Sequence, residues 1–291
     1  MWFYIALSAA LVSGVLVILN KKILSKVDPI ILFWVMIVIS TIFMAYFALR
    51  NGIPNLGYLF FIGVICSVIF YTFSRITQFR AIKDAPISQI YPLIVLSPIF
   101  TMTLAFFPPL SERPSPLALG GSLVSLIGVY TINVSTAREG LLEPFKILVK
   151  NKSAFLMLIS VITIGFVSVF DKIAITGTTP KNTIFTLFFE NVVIIIGLLP
   201  YLFTRRKDVI SQVALNKWAL LTLGMIFAVG NILGFVSIGN GSVSIVSALF
   251  RTQVFFALLF SFIFFKDKPK LETIIGSLIL VLGVVLVKIG L

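Results

Sequence analysis

Residues 80–133, RAIKDAPISQIYPLIVLSPIFTMTLAFFPPLSERPSPLALGGSLVSLIGVYTIN, decide how the rest of the chain is read. They close one apolar run, turn through a short polar segment, run apolar again, turn at Glu112 and run apolar once more. About 155 residues later the pattern returns as residues 237–290, SIGNGSVSIVSALFRTQVFFALLFSFIFFKDKPKLETIIGSLILVLGVVLVKIG. Ser88 falls on Ser244, Glu112 on Asp267 and Pro114 on Pro269. Gly121-Ser122-Leu123 falls on Gly276-Ser277-Leu278, and Gly128 on Gly283. A match held at nearly fixed offset over this length points to internal duplication.

Composition says what was duplicated. The 291 residues are 59% hydrophobic and 11% charged, whereas charged residues make up about a quarter of a soluble domain. Long apolar runs recur, and in lipid the backbone must satisfy its own hydrogen bonds, as helices or closed barrels do. Uninterrupted runs without strict alternation select helices. The net charge of +13 comes from Lys and Arg gathered between the runs, where they set orientation and meet anionic lipid. No basic soluble segment is present to hold nucleic acid, so none is expected as a partner. The single cysteine, Cys66, lies within an apolar run, and histidine is absent. No metal site and no cofactor are expected from such a set. The start, Met1-Trp2-Phe3-Tyr4, lacks the basic opening of a cleaved signal.

Ten spans are predicted, at about 2–20, 29–49, 56–79, 86–108, 115–134, 153–175, 182–203, 217–238, 242–265 and 271–290, each able to cross roughly 30 Å of hydrocarbon. The expected fold is all-α and integral to the membrane, as two five-helix repeats. They occupy residues 1–134 and 153–291, with a linker at 135–152 whose 141–145 core could lie along the interface. Five spans per repeat is odd, so the second copy enters from the opposite side and the repeats are inverted. Lys22-Ile23 after the first span resembles Lys172-Ile173 at the end of the sixth. Sixteen of the 23 Lys and Arg residues fall on one side and five on the other. The positive-inside rule then puts both termini outside.

The run Phe79-Arg80-Ala81-Ile82-Lys83-Asp84-Ala85-Pro86-Ile87-Ser88, followed by Pro92-Leu93, Pro98, Glu112-Arg113 and the glycines of 121–128, resembles the drug/metabolite transporter superfamily. Within it, the chain is similar to the EamA-like ten-helix exporters, over essentially its whole length. The resemblance implies secondary transport of small metabolites or drugs by alternating access, in a multi-pass protein of the cell (inner) membrane. It does not fix the cargo, since members carry amino acids, sugar phosphates, nucleotide sugars and cations. One departure is the loop after span two, basic in many relatives, where Arg50 stands almost alone here.

Ionisable residues deep in hydrocarbon cost at least about 2.5–3.5 kcal/mol each and are functional candidates by default. Glu190, followed by Asn191, lies near the middle of span seven. Arg251, with Gln253 two positions on, lies near the middle of span nine. Arg75 lies toward the end of span three, where it can also snorkel to the headgroups. With Tyr91 and Asn231, these are the candidate substrate-binding residues: Arg251 for a carboxylate or phosphate, Glu190 for an amino group or a coupling proton. The competing reading pairs Glu190 with Arg251 as an idle ion pair. Lys22, Asp171 and Lys172 are candidates for a gate or cavity rim. Pro86, Pro92 and Pro98 predict a bent fourth span.

The function these features support is secondary transport of a small polar metabolite, an amino acid or organic anion, with export the favoured direction. The alternatives are export of hydrophobic or cationic drugs and, from another class, a non-transporting membrane scaffold. An intramembrane enzyme would need a mid-depth cluster of His, Cys, Asp or Glu, which the sequence does not offer. The expected partners are a small-molecule substrate, membrane lipids and, as coupling ion, a proton. Monomer and homodimer are both left open.

Overall fold

A computed structural model describes residues 1–50, 52–85, 91–132, 152–205, 208–265 and 271–290. Residues 135–151 of the linker, with its 141–145 core, and Pro86, Ser88 and Asp267 of the repeat lie outside the described residues. The chain is helical almost throughout: α1 (Trp2–Leu24), α2 (Pro29–Leu49), α3 (Tyr58–Asp84), a 3-10 segment (Tyr91–Leu96) leading into α4 (Ser97–Ala105), and α5 (Pro116–Ile132). There follow α6 (Lys152–Thr176), α7 (Thr183–Arg205), the short α8 (Val209–Leu215), α9 (Lys217–Asn240), α10 (Val243–Phe250), α11 (Gln253–Phe265) and α12 (Leu271–Ile289). The strands β1 (Asn55–Leu56) and β2 (Thr178–Thr179) form one antiparallel pair, Asn55 opposite Thr179.

Among the described residues six helices, α1, α2, α3, α6, α7 and α9, are long and apolar enough to cross a membrane alone. The fourth and ninth expected spans are built from shorter pieces, while the fifth and tenth are the single helices α5 and α12, of 17 and 19 residues. The fourth changes from 3-10 to α geometry at Ser97, where Pro98 enters the first helical turn, a position that tolerates its missing N–H. The ninth, expected to be continuous, breaks at Arg251-Thr252 between α10 and α11.

Small residues fix which helices touch. α3 packs along α6, where a Cβ on Gly63 would lie 2.5 Å from the backbone N of Ala174. Ser74 Oγ bonds Ser160 O at 2.9 Å across the same seam, a hydrogen bond that small-residue contact between membrane helices makes possible. α5 packs along α12 through the glycines of the repeat itself. A Cβ on Gly128 would come within 2.3 Å of Leu280 N, and one on Gly283 within 2.3 Å of Ser125 N. The two copies of that motif therefore face each other. α1 packs on α9, and α4 crosses α10 where Ser247 Oγ meets Thr101 Oγ1 at 3.2 Å. Outward faces carry Ile42, Tyr46, Ile69 and Leu278, as a lipid-facing surface requires.

Candidate functional site

A cavity of about 150 Å³ opens among α1, α3, α6, α7, α9 and the α10–α11 break. Of the residues picked from sequence, Arg75, Asp171, Glu190, Asn191, Asn231, Arg251 and Gln253 all line it. The Tyr91 side chain lies outside the described residues. Lys22 is exposed and does not line the cavity; Lys172 does not line it either, but its Nζ bonds the carbonyl oxygen of Ile238, which does.

One side of the cavity is acidic. Asp171 is buried five residues before the end of α6, because that helix runs on to Thr176. Ser67 of α3 donates to Asp171 Oδ1. Glu190 of α7 is 4% exposed, and its Oε1 has no hydrogen-bond partner among the described residues. A buried acceptor left in that condition costs about 1–3 kcal/mol unless a ligand supplies a donor. No ion pair joins Glu190 to Arg251 among the described residues; the idle pair is not formed.

The other side is basic. Arg75 Nη1 bonds Gln78 Oε1 at 2.8 Å, and its guanidinium lies 5.1 Å from the Tyr71 ring and 5.9 Å from that of Phe227. Its Nε is buried without a partner among the described residues. Arg75 is eight residues beyond Ser67 on α3, about 12 Å along the axis at 1.5 Å per residue. Arg251 ends α10, with Nε on Ser247 O at 3.3 Å and Nη1 on Ile94 O at 3.5 Å. It thus ties the break in one span to the 3-10 segment of the other.

Two lysines play matching parts at opposite ends of the bundle. Lys172 Nζ meets the carbonyl oxygens of Ile238 and Gly241, each at 2.7 Å, and of Gly239 at 3.2 Å, where α9 ends. Lys21 Nζ meets the carbonyls of Ile82, Lys83 and Ala85, where α3 ends. An ammonium suits the negative end of a helix dipole. Lys21 rather than Lys22 is therefore the counterpart of Lys172; one residue further along a helix the side chain points about 100° away. Lys181, on the loop before α7, also reaches Gly239 O, and burial lowers its pKa below the ordinary lysine value.

From the other direction Glu112 grips the same turn. Its carboxylate accepts from Ser242 Oγ at 2.6 Å, Val243 N at 2.7 Å, Ser244 N at 3.0 Å and Ser244 Oγ at 2.8 Å. It thereby caps α10 from 130 residues away, with the favourable sign for a helix N-terminus. Glu112→Ala strands two backbone donors and two hydroxyls and is expected to destabilise the protein by about 2–3 kcal/mol. Thermal unfolding in detergent checks this, with Arg113→Ala as the neighbouring control.

Sequence reasoning missed Ser67, Asn20 and Gln78, all of which line the cavity. Ser and Gln carry little signal in a membrane helix, where such side chains usually bond their own backbone. Asn20 was visible as the residue matching Asp171 once Lys21 is aligned with Lys172. Among the described residues no three acidic or Cys side chains gather as metal ligands.

The EamA-like transporter family model matches residues 1–134 and again 151–289. An uncharacterized transporter of Archaeoglobus fulgidus is 28% identical over 134 residues, 43% of this chain and 44% of that protein. The chain thus spans less than half of that curated relative in the matched region. A crystal structure 15% identical in sequence superposes with a TM-score of 0.73, over 99% of this chain and 96% of that one; at this identity it speaks for the fold alone. Two family matches covering nearly all of a chain rich in apolar helices show that it belongs to the EamA-like transporter family.

Proposed function

We propose that this transporter moves a small zwitterion of amino-acid size by alternating access, in the direction of export, through the cavity between two inverted five-helix copies. In this reading the chain crosses the membrane ten times, with residues 1–134 and 153–291 as the copies and 135–152 as linker. The matching grips of Lys21 and Lys172, and the interrupted fourth and ninth spans that cross as α4 and α10, support the inverted arrangement. Discontinuous helices at the repeat interface are where such carriers bind their cargo.

The observation that carries the cargo assignment is charge of both signs around one cavity: Asp171 and Glu190 on one side, Arg75 and Arg251 on the other. Acidic residues offer acceptors to an amino group, and guanidinium groups offer forked donors to a carboxylate. A cavity of about 150 Å³ is well below the roughly 300 Å³ at which drug-sized pockets begin, which argues against large cationic drugs.

Counterflow into liposomes loaded with unlabelled compound tests this. Labelled neutral amino acids are expected to accumulate saturably, dicarboxylates and cationic dyes weakly or not at all. Saturable counterflow of a dication or a dianion, with none of any neutral amino acid, would replace the zwitterion. No counterflow of any compound would remove the carrier reading.

A further inference from the structure

The acidic corner has a property that cargo recognition does not use. Asp171 and Glu190 line the same cavity from α6 and α7, and Ser67 of α3, which donates to Asp171, lines it with them. Two carboxyls so placed and withdrawn from water do not both ionise without a counter-charge. The candidate counter-charges are engaged elsewhere. Lys172, next in sequence to Asp171, is turned to the carbonyls at the end of α9. On α3, Arg75 lies two turns away against Gln78, Tyr71 and Phe227; Arg251 bonds Ser247 O and Ile94 O. Among the described residues the Asn191 amide nitrogen meets only Met44 Sδ, at 3.9 Å. α2 and α4 carry no charged residue, and Lys217 of α9 stands at the far end of that helix. Glu112 and Lys181 belong to the α9–α10 turn, and Lys21 to the opposite end of the bundle.

Against this background the buried, partnerless Glu190 Oε1 marks a corner rich in acceptors and one hydrogen short. We infer that Asp171, Ser67 and Glu190 form a proton-binding site, with one proton held between the two carboxyls and Ser67 orienting Asp171. The arginines that meet the cargo's carboxylate lie apart from it. The use of the site rests on the carrier reading, in which the proton is given up when the cargo's amino group arrives. The binding itself needs no cargo.

Infrared spectroscopy of the full-length, substrate-free protein in detergent, stepped from acid to alkaline pH in potassium buffer, tests it directly. The wild type is expected to show a protonated-carboxyl C=O stretch at neutral pH, lost with release of one proton at alkaline pH. Asp171→Asn and Glu190→Gln should each move the pH of that loss, and the double variant should lack the band. Ser67→Ala, which keeps both carboxyls, should shift the titration without removing it. No band in the neutral wild type, a band surviving in the double variant, or unmoved titration in both single variants overturns the proposal. Replacing potassium by sodium is the second arm: loss of the band at fixed pH marks a sodium site and overturns the proton. A wild-type band without any counterflow supports the dyad and removes only the cargo assignment.

Discussion

Arg251→Ala is expected to cut flux of the proposed zwitterionic cargo by about 100-fold while the protein still reaches the membrane. The estimate follows from the position of the guanidinium. It is buried at the break between α10 and α11, lines the cavity, and holds Ile94 O across the crossing of the interrupted spans. Losing a desolvated, charge-assisted contact costs about 2–5 kcal/mol, and each 1.4 kcal/mol is tenfold. Arg251→Lys separates charge from shape: a point ammonium keeps the sign but cannot make two parallel bonds to a carboxylate. Lys should recover only a minor part of the flux. Initial rates in liposomes, normalised to reconstituted protein, decide; unchanged flux in the alanine variant removes Arg251 from the cargo site.

Gly283→Leu is expected to abolish the folded protein outright. At that position a single Cβ would lie 2.3 Å from Ser125 N and 2.7 Å from Gly121 O, and these are backbone atoms that no rotamer change can move aside. Overpacking costs typically about 1–3 kcal/mol where side chains can yield; here α5 and α12 would have to separate along their length. Gly120, on the facing helix α5 but with open space around it, is the control, and Gly120→Leu should leave a monodisperse peak on size exclusion. Equal behaviour of the two variants would show that the α5–α12 contact is looser than the glycines indicate.

The glycine motif was legible in the sequence as a repeat, but not as two surfaces meant for each other. Repetition reports common ancestry; that the copies pack together follows from geometry, since each lacks side chains where the other needs room. The irregular backbone of the fourth span, 3-10 before Ser97 and α after it, was legible because proline removes a donor. The break at Arg251-Thr252 was not, since residues 248–254 contain neither Gly nor Pro and the interruption is held by tertiary bonds. Asp171 was placed at a helix boundary because apolar runs end where charges begin, whereas α6 continues past both Asp171 and Lys172. Its depth came from Ser67 on a neighbouring helix, a partner 104 residues away. The choice of Lys22 over Lys21 was a one-residue slip that helical periodicity turns into a different face.

The grip of Glu112 on Ser242 and Ser244 also bears on biogenesis. Its carboxylate leaves the ribosome long before the hydroxyls it will hold, and chains are assembled in order of synthesis. Until α10 arrives, the loop after α4 is held by its own backbone bonds, such as Glu112 N to Ala105 O at 2.9 Å, and the Glu112 carboxylate lacks the Ser242 and Ser244 groups it will hold. The joint closes as one of the last events of insertion, so a chain stalled before that point carries an unfastened loop that cellular proteases can recognise as unfinished.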